Sequence, residues 1–328
     1  MKQILVVFTG GTIGSTATDG TINTASSASF KLLQLFQQQY HDYSCIHFEP
    51  LQPIQILSEN LAPAAWTVII EAIESADPSR YDGIIVTHGT DTLAYTAAAL
   101  SYYFHALALP MLLVSSDYPL ENPNGNGLAN FICAVEFIRR EIAHGVFVPY
   151  RNAGQIMQIH EGIRLTCSLQ LTGDFYSIQN KSFMQFDGGQ FTLLNGAYGL
   201  PVTGTDFFID SNNFIPSKPQ FSSRILMIKP YPGLDYSHFN LDGLDAILHD
   251  LYHSGTACAT EQWGKRHSLV EFLKRCKQQH IPVYLAPAIK TKNAYQTTHE
   301  LLVHGATMLW NMSIEAAYVK LMLIYGNQ

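Results

Sequence analysis

The chain has 328 residues, 47% of them hydrophobic and 14% charged, with a formal net charge of −7. This describes a globular chain of one large or two medium domains that can bury a sizeable core. No basic cluster exceeds short pairs such as Lys265-Arg266 and Lys274-Arg275. A nucleic-acid partner is therefore not expected, because such an interface needs a basic stripe. The apolar run behind Met1-Lys2 ends at Phe8, too short for a signal-peptide core, and no apolar stretch reaches membrane-spanning length, so no membrane partner is expected. Cys45, Cys133, Cys167, Cys258 and Cys276 are widely spaced and form no CxxC pair. Their pattern fits reduced thiols and a cytoplasmic location.

In chain order, Ile4–Val7 reads as a short buried strand. The Thr, Ser, Gly and Asn content of Ser15–Ser29 predicts a mobile loop, followed by a helix over Phe30–Gln39. A second helix is expected over Ala64–Glu74, with Pro63 suited to its first turn. Gly83–Val86 is a second buried strand, followed by a helix through Leu93, Ala97, Leu100 and Phe104. Met111–Val114 is the next strand, Leu128–Ile142 a helix and Val146–Val148 a strand. The alternation predicts a parallel sheet with helices on both faces. Two prolines and a run of Asp, Asn and Ser mark Phe207–Ser223 as a linker. Strands at Ile225–Ile228, Leu244–Leu248 and Val283–Ala286, with helices at Leu269–Gln278 and Ser313–Tyr325, predict a second, smaller α/β unit.

Both early strands end in hydroxyl-bearing turns: Thr9-Gly10-Gly11-Thr12-Ile13-Gly14 after the first, and Thr87-His88-Gly89-Thr90-Asp91-Thr92 after the second. Ligands of parallel α/β sheets bind outside the carboxyl ends of the strands, so Thr12, Thr90 and Asp91 are expected to meet there. The first turn lacks the Lys-Ser/Thr of a phosphate-binding loop. Its glycine backbone could instead serve a tight turn or polarise a carbonyl oxygen. Asp91 could equally cap the following helix. His88 is expected to be a core histidine satisfied by a backbone carbonyl.

The two turns, in that order and at that separation, resemble the hallmark motifs of the bacterial-type L-asparaginases. The resemblance continues through Leu93-Ala94-Tyr95-Thr96-Ala97-Ala98-Ala99-Leu100-Ser101, and resumes at Tyr231-Pro232-Gly233 and Asn311-Met312-Ser313-Ile314-Glu315-Ala316, where it is similar to the cytoplasmic type I branch. It implies a carboxamide hydrolase without metal or cofactor, acting on a small amino-acid amide and assembling as a homodimer or tetramer. Carried over by position, Thr12 is the nucleophile that forms an acyl-enzyme, Thr90 supplies the second hydroxyl, and Asp91 binds the substrate ammonium. Ser58 matches the serine that holds the α-carboxylate. Glu59, where the family often has Gln, together with Gly11, Gly89 and Ser116, completes the implied substrate pocket.

Two departures stand out. Thr21 occupies the position of the family's activating Tyr, and no Tyr precedes Tyr40. In Gly162-Ile163-Arg164-Leu165-Thr166-Cys167, Cys167 stands where the family has Lys. A threonine hydroxyl is a weak nucleophile and needs a base nearby. His160, Arg164 and Cys167 are the candidate substitutes, with Thr21 itself on the loop.

The sequence thus predicts an α/β fold: a large N-terminal parallel-sheet domain (1–206) carrying nucleophile and pocket, a linker (207–223) and a smaller C-terminal α/β domain (224–328). The expected reaction is hydrolysis of L-asparagine to L-aspartate and ammonia. The alternatives are an amidase for another or modified amide, which Glu59 and Asp117 make credible by adding negative charge, and a homologue that binds amino acids but has lost turnover. A tRNA-dependent amidotransferase, a relative of the same family, is set aside for want of length and basic surface.

Overall fold

The computed structural model describes residues 1–11, 13, 15–18, 21–24, 26–169, 171–194, 218–290 and 293–328. The chain divides into two compact units, Met1–Phe208 and Ile209–Gln328.

Unit one contains strands β1 (Lys2–Phe8), β2 (Ser15–Thr18), β3 (Thr21–Thr24), β4 (Ile46–Leu51), β5 (Gly83–Thr87), β6 (Pro110–Val114), β7 (Gly145–Tyr150), β8 (Met157–Glu161), β9 (Met184–Asp187) and β10 (Gln190–Leu193). Its helices are α1 (Ser26–Gln39), α2 (Pro63–Ser75), α3 (Leu93–Tyr103) and α4 (Gly127–Arg139). Eight strands form one sheet in the order β10-β9-β8-β7-β6-β5-β1-β4. The five strands β4, β1, β5, β6 and β7 run parallel, and β8, β9 and β10 extend the sheet antiparallel.

Every residue of β5 and β6 is buried, as expected of strands covered on both faces. Pro63 opens α2, and Ala65, Trp66, Ile69, Ile70 and Ile73 form its buried stripe at helical spacing. Phe36 of α1 meets Phe131 of α4 edge-on, with ring centroids 5.4 Å apart, in a core that also holds Ile4, Val6, Ile85 and Leu112. Strand order reverses between β1 and β5, because the chain steps outward from β1 to β4 and then to the other side through β5. That reversal is where an open α/β sheet leaves a crevice at its carboxyl edge.

Unit two contains β11 (Ile225–Ile228), β12 (Ala246–Asp250), β13 (Val283–Ala288) and β14 (Thr307–Trp310), with α5 (Leu269–Gln278), α6 (Gln296–Val303) and α7 (Ile314–Gly326). Its four strands run parallel in sequence order. Tyr236 stacks on Phe272 of α5 at 4.7 Å within a separate core.

The fold class is therefore α/β, with a large parallel-dominated sheet and a smaller parallel one. The segment read as a loop differs: residues 15–18 and 21–24 pair as an antiparallel hairpin, and α1 begins at Ser26 rather than Phe30. Thr16, Thr18, Thr21, Ile22 and Thr24 are β-branched and favour extended backbone, which outweighs their polarity. Of the expected linker, residues 207–217 lie outside the described residues. The Ser222 amide donates to the Met322 carbonyl at 2.8 Å, within unit two.

Candidate active site

β1 and β5 are paired so that Phe8 lies beside Thr87, which brings their two turns together. The Thr9 hydroxyl donates to the Thr87 carbonyl at 2.6 Å and ties the strand ends. The Ile56 amide donates to the Thr9 carbonyl at 2.9 Å, and the Gly11 amide donates to the Ile56 carbonyl at 3.2 Å. These bonds seat the short 3₁₀ turn Ser58–Asn60 against the same edge. They also engage the Gly11 N–H, so the carbonyl-polarising role considered for that turn does not fall to Gly11.

The backbones here approach so closely that side chains are excluded. A Cβ on Gly11, whose φ is +77°, would lie 2.3 Å from the Gly89 nitrogen. A Cβ on Gly89 would lie 2.4 Å from the Ser58 hydroxyl oxygen. Ser58 is only 4% exposed. Its hydroxyl accepts from the Asp91 amide at 3.3 Å and donates to Asp91 Oδ2 at 3.4 Å, while its carbonyl accepts from the Thr92 hydroxyl at 2.9 Å. Thr92, not Asp91, is the N-cap residue of α3. The Asp91 carboxylate is exposed, next to the positive end of that helix.

His88 is buried and neutral. Burial pulls its pKa down to about 4. Nδ1 lies 2.8 Å from the Gly89 carbonyl, and Nε2 lies 2.8 Å from the Thr96 hydroxyl, which also accepts from Trp66 Nε1 at 3.0 Å. The histidine locks the turn rather than facing a ligand, as the sequence predicts.

The structure thus gathers Gly11, Ser58, Gly89 and Asp91. Half-buried Thr90 lies between the last two, and its hydroxyl makes no hydrogen bond among the described residues. Cys167 joins them, with Sγ 3.9 Å from the Asp91 carbonyl oxygen. Glu59 is exposed beside Ser58. Thr12 lies outside the described residues, and Thr21 opens β3.

Other expected residues sit apart. The Ser116 hydroxyl donates to the Tyr118 carbonyl at 2.5 Å and lines a cavity with Leu35, Leu120 and Arg151; no hydrogen bond joins it to Ser58 or Asp91 among the described residues. Asp117 accepts from the Tyr118 and Asn126 amides, each at 2.9 Å, and so closes a turn. His160 is 2% exposed, lies 2.8 Å from the Ser177 hydroxyl, and has its pKa pulled down to about 4 by burial. Buried Arg164 faces Glu161 at 3.5 Å. Among the described residues, no group of three or more His, Cys, Asp and Glu side chains is placed to hold a metal.

The family model "Asparaginase, N-terminal" matches residues 3–196, more than half the chain. The chain belongs to the asparaginase family. Among solved structures, the thermostable L-asparaginase of Thermococcus kodakarensis aligns with a TM-score of 0.77 at 25% identity, covering 99% of this chain and 93% of that one. L-asparaginase I of Vibrio cholerae shares the fold, with a TM-score of 0.76 at 24% identity, covering 100% of this chain and 93% of that one. Curated relatives bring a different name into the asparaginase family. A glutamyl-tRNA(Gln) amidotransferase component from Aeropyrum pernix is 26% identical over 98% of this chain and 74% of its own length. The Pyrococcus abyssi protein of the same name is 24% identical over 100% of this chain and 73% of its own length. Sequence reasoning set that relative aside. It also missed Ile56 and Thr92, whose contributions are a backbone amide and carbonyl and a hydroxyl on a distant carbonyl; such contacts leave no motif.

Proposed function

We propose that this asparaginase-family protein hydrolyses the side-chain amide of L-asparagine to L-aspartate and ammonia through an acyl-threonine at Thr12. One observation carries the reading: Ser58 and Asp91 meet beside Gly11 and Gly89, at the carboxyl ends of β1 and β5 where strand order reverses. The Asp91 carboxylate pairs with the substrate ammonium, and the Ser58 hydroxyl turns its one proton from Asp91 Oδ2 to the α-carboxylate. The side-chain amide is then presented to the turn that carries Thr12. The Thr12 oxygen adds to the amide carbon while its proton passes to the departing nitrogen, which leaves as ammonia. Water adds to the ester, returns a proton to Thr12 and releases the acid. Thr90 positions that water. No metal or cofactor enters these steps. The chain acts in the cytoplasm as a homodimer or tetramer; its five cysteines are all free thiols, as in a reducing compartment.

Replacing Asp91 tests the pocket. Asp91→Ala should raise KM for L-asparagine about ten- to a hundredfold with a smaller change in kcat. An unchanged KM would remove the ammonium role.

The curated relatives support a second reading, in which the same amide chemistry supplies ammonia to a tRNA-linked amidation. It predicts ammonia release that rises when charged tRNA and a partner protein are present, and it would overturn the expectation of no nucleic-acid partner. Hydrolysis of free L-asparagine that is indifferent to tRNA would exclude it.

A further inference from the structure

Thr92 holds the N-cap position of α3, where a threonine hydroxyl ordinarily accepts from an amide in the first turn of its own helix. Here the side chain makes no such bond. Its hydroxyl instead donates to the Ser58 carbonyl at 2.9 Å, across 34 positions of sequence. That carbonyl already accepts from the Leu61 amide at 3.1 Å, the bond that closes the 3₁₀ turn Ser58–Asn60. Thr92 therefore occupies the second lone pair of an oxygen that is satisfied without it. The helix forgoes a cap, and the turn does not need the bond to close. What the contact fixes is the seat of the turn against the start of α3.

The same two segments are joined a second time. The Ser58 hydroxyl accepts from the Asp91 amide at 3.3 Å and donates to Asp91 Oδ2 at 3.4 Å. Those bonds are longer, and they occupy the side chain that the substrate α-carboxylate has to engage. The Thr92 bond uses only the main chain of Ser58, so it persists while the Ser58 hydroxyl turns to the substrate.

We propose that Thr92 is a positioning residue whose hydroxyl fixes the separation between Asp91, which takes the substrate ammonium, and Ser58, which takes the α-carboxylate. The inference rests on the proposed hydrolysis of L-asparagine and deepens it. An amino acid carries its ammonium and its carboxylate on one carbon. Asp91 and Ser58 can hold both groups at once only while their spacing matches. Thr92 meets neither group and takes no part in the bond-breaking step. Its loss should therefore weaken substrate and transition state alike, which raises KM and spares kcat.

Steady-state kinetics with L-asparagine and calorimetric titration with the product L-aspartate, both on the full chain, test this. Thr92→Val removes the hydroxyl and keeps the branched shape, and Thr92→Ser keeps the hydroxyl. KM and the L-aspartate Kd should each rise about three- to tenfold in Thr92→Val, with kcat within about twofold, and return close to the wild-type values in Thr92→Ser. Thr92→Ala should match Thr92→Val, and melting temperatures verify that all three variants are folded. Unchanged KM and Kd in Thr92→Val overturn the positioning role. So does a fall in kcat at unchanged KM, and so does a Thr92→Ser variant no better than Thr92→Val, because the hydroxyl would then not be the cause. A wild type that binds L-aspartate without hydrolysing L-asparagine contradicts the proposed function alone, and the Kd values still decide the role of Thr92. A wild type that does neither contradicts both.

Discussion

The Ser58 hydroxyl accepts from the Asp91 amide and donates to its carboxylate, so the orientation of the acid depends on a neighbour 33 positions away. Opposite them, Cys167 lies 3.9 Å from the Asp91 carbonyl, at the position the family resemblance assigns to lysine. In the proposed reaction a thiol there transfers a proton less well than the lysine would, an effect worth typically about 10²–10⁴-fold. Cys167→Lys should therefore raise kcat about tenfold or more, whereas Cys167→Ala should leave it within about twofold. Equal rates in the two variants would show that the lysine position is elsewhere.

The buried histidines set a second residue-scale prediction. Burial lowers His88, His160 and His249 from 6.5 to about 4. Their neutral forms are held in the fold, so their share of stability is present above pH 6.5 and is lost as pH falls toward 4. Glu161 acts in the opposite sense: burial raises it to about 7, and its share is present below its unfolded value and lost as pH rises through 7. Unfolding at a pH near 5.5 should take up about two protons, and about three in Glu161→Gln. Melting temperatures across roughly pH 4.5–7 measure this, and an identical slope in both proteins would contradict it.

At the scale of elements, Glu136 of α4 is 6% exposed and joins two helices. It accepts from Tyr40, just beyond α1, and pairs with Arg139 at 3.0 Å and Arg140 at 2.6 Å. Removing the acid leaves Tyr40 and the two guanidiniums without their shared acceptor. Glu136→Ala should cost about 2–3 kcal/mol in denaturant unfolding with site chemistry unaffected. A loss under about 0.5 kcal/mol would mean the cluster is surface decoration.

The strands that position the site were the most legible elements. Ile4–Val7 and Gly83–Val86 are short apolar runs closed by glycine turns, and burial on both faces leaves such runs little alternative. The β2–β3 hairpin was misread because its threonines look polar, although Asp19-Gly20 between them is a recognised hairpin dipeptide. Strands β8 to β10 went unread because one face of β8 carries Gln158 and His160, which breaks the apolar pattern.

For the whole molecule, the chain divides into two units, Met1–Phe208 and Ile209–Gln328, each with its own core, and residues 195–217 lie outside the described residues. The residues that meet at the ends of β1 and β5 were legible where a motif carries a particular side chain, as at Ser58 and Asp91. Tertiary environment was not legible: His160 is one of several candidate substitutes in sequence, and its burial, which pulls its pKa down to about 4, shows only in the fold.

The proposed activity of this asparaginase-family chain is the breaking of a side-chain amide bond by Thr12. It stands or falls on ammonia release from L-asparagine by the purified protein, with Thr12→Ala alongside. Steady release is expected from the wild type and none above background from the variant, with asparagine still bound. Release that persists in Thr12→Ala would contradict the nucleophile, and a wild type that binds L-asparagine but releases no ammonia would contradict the reaction itself.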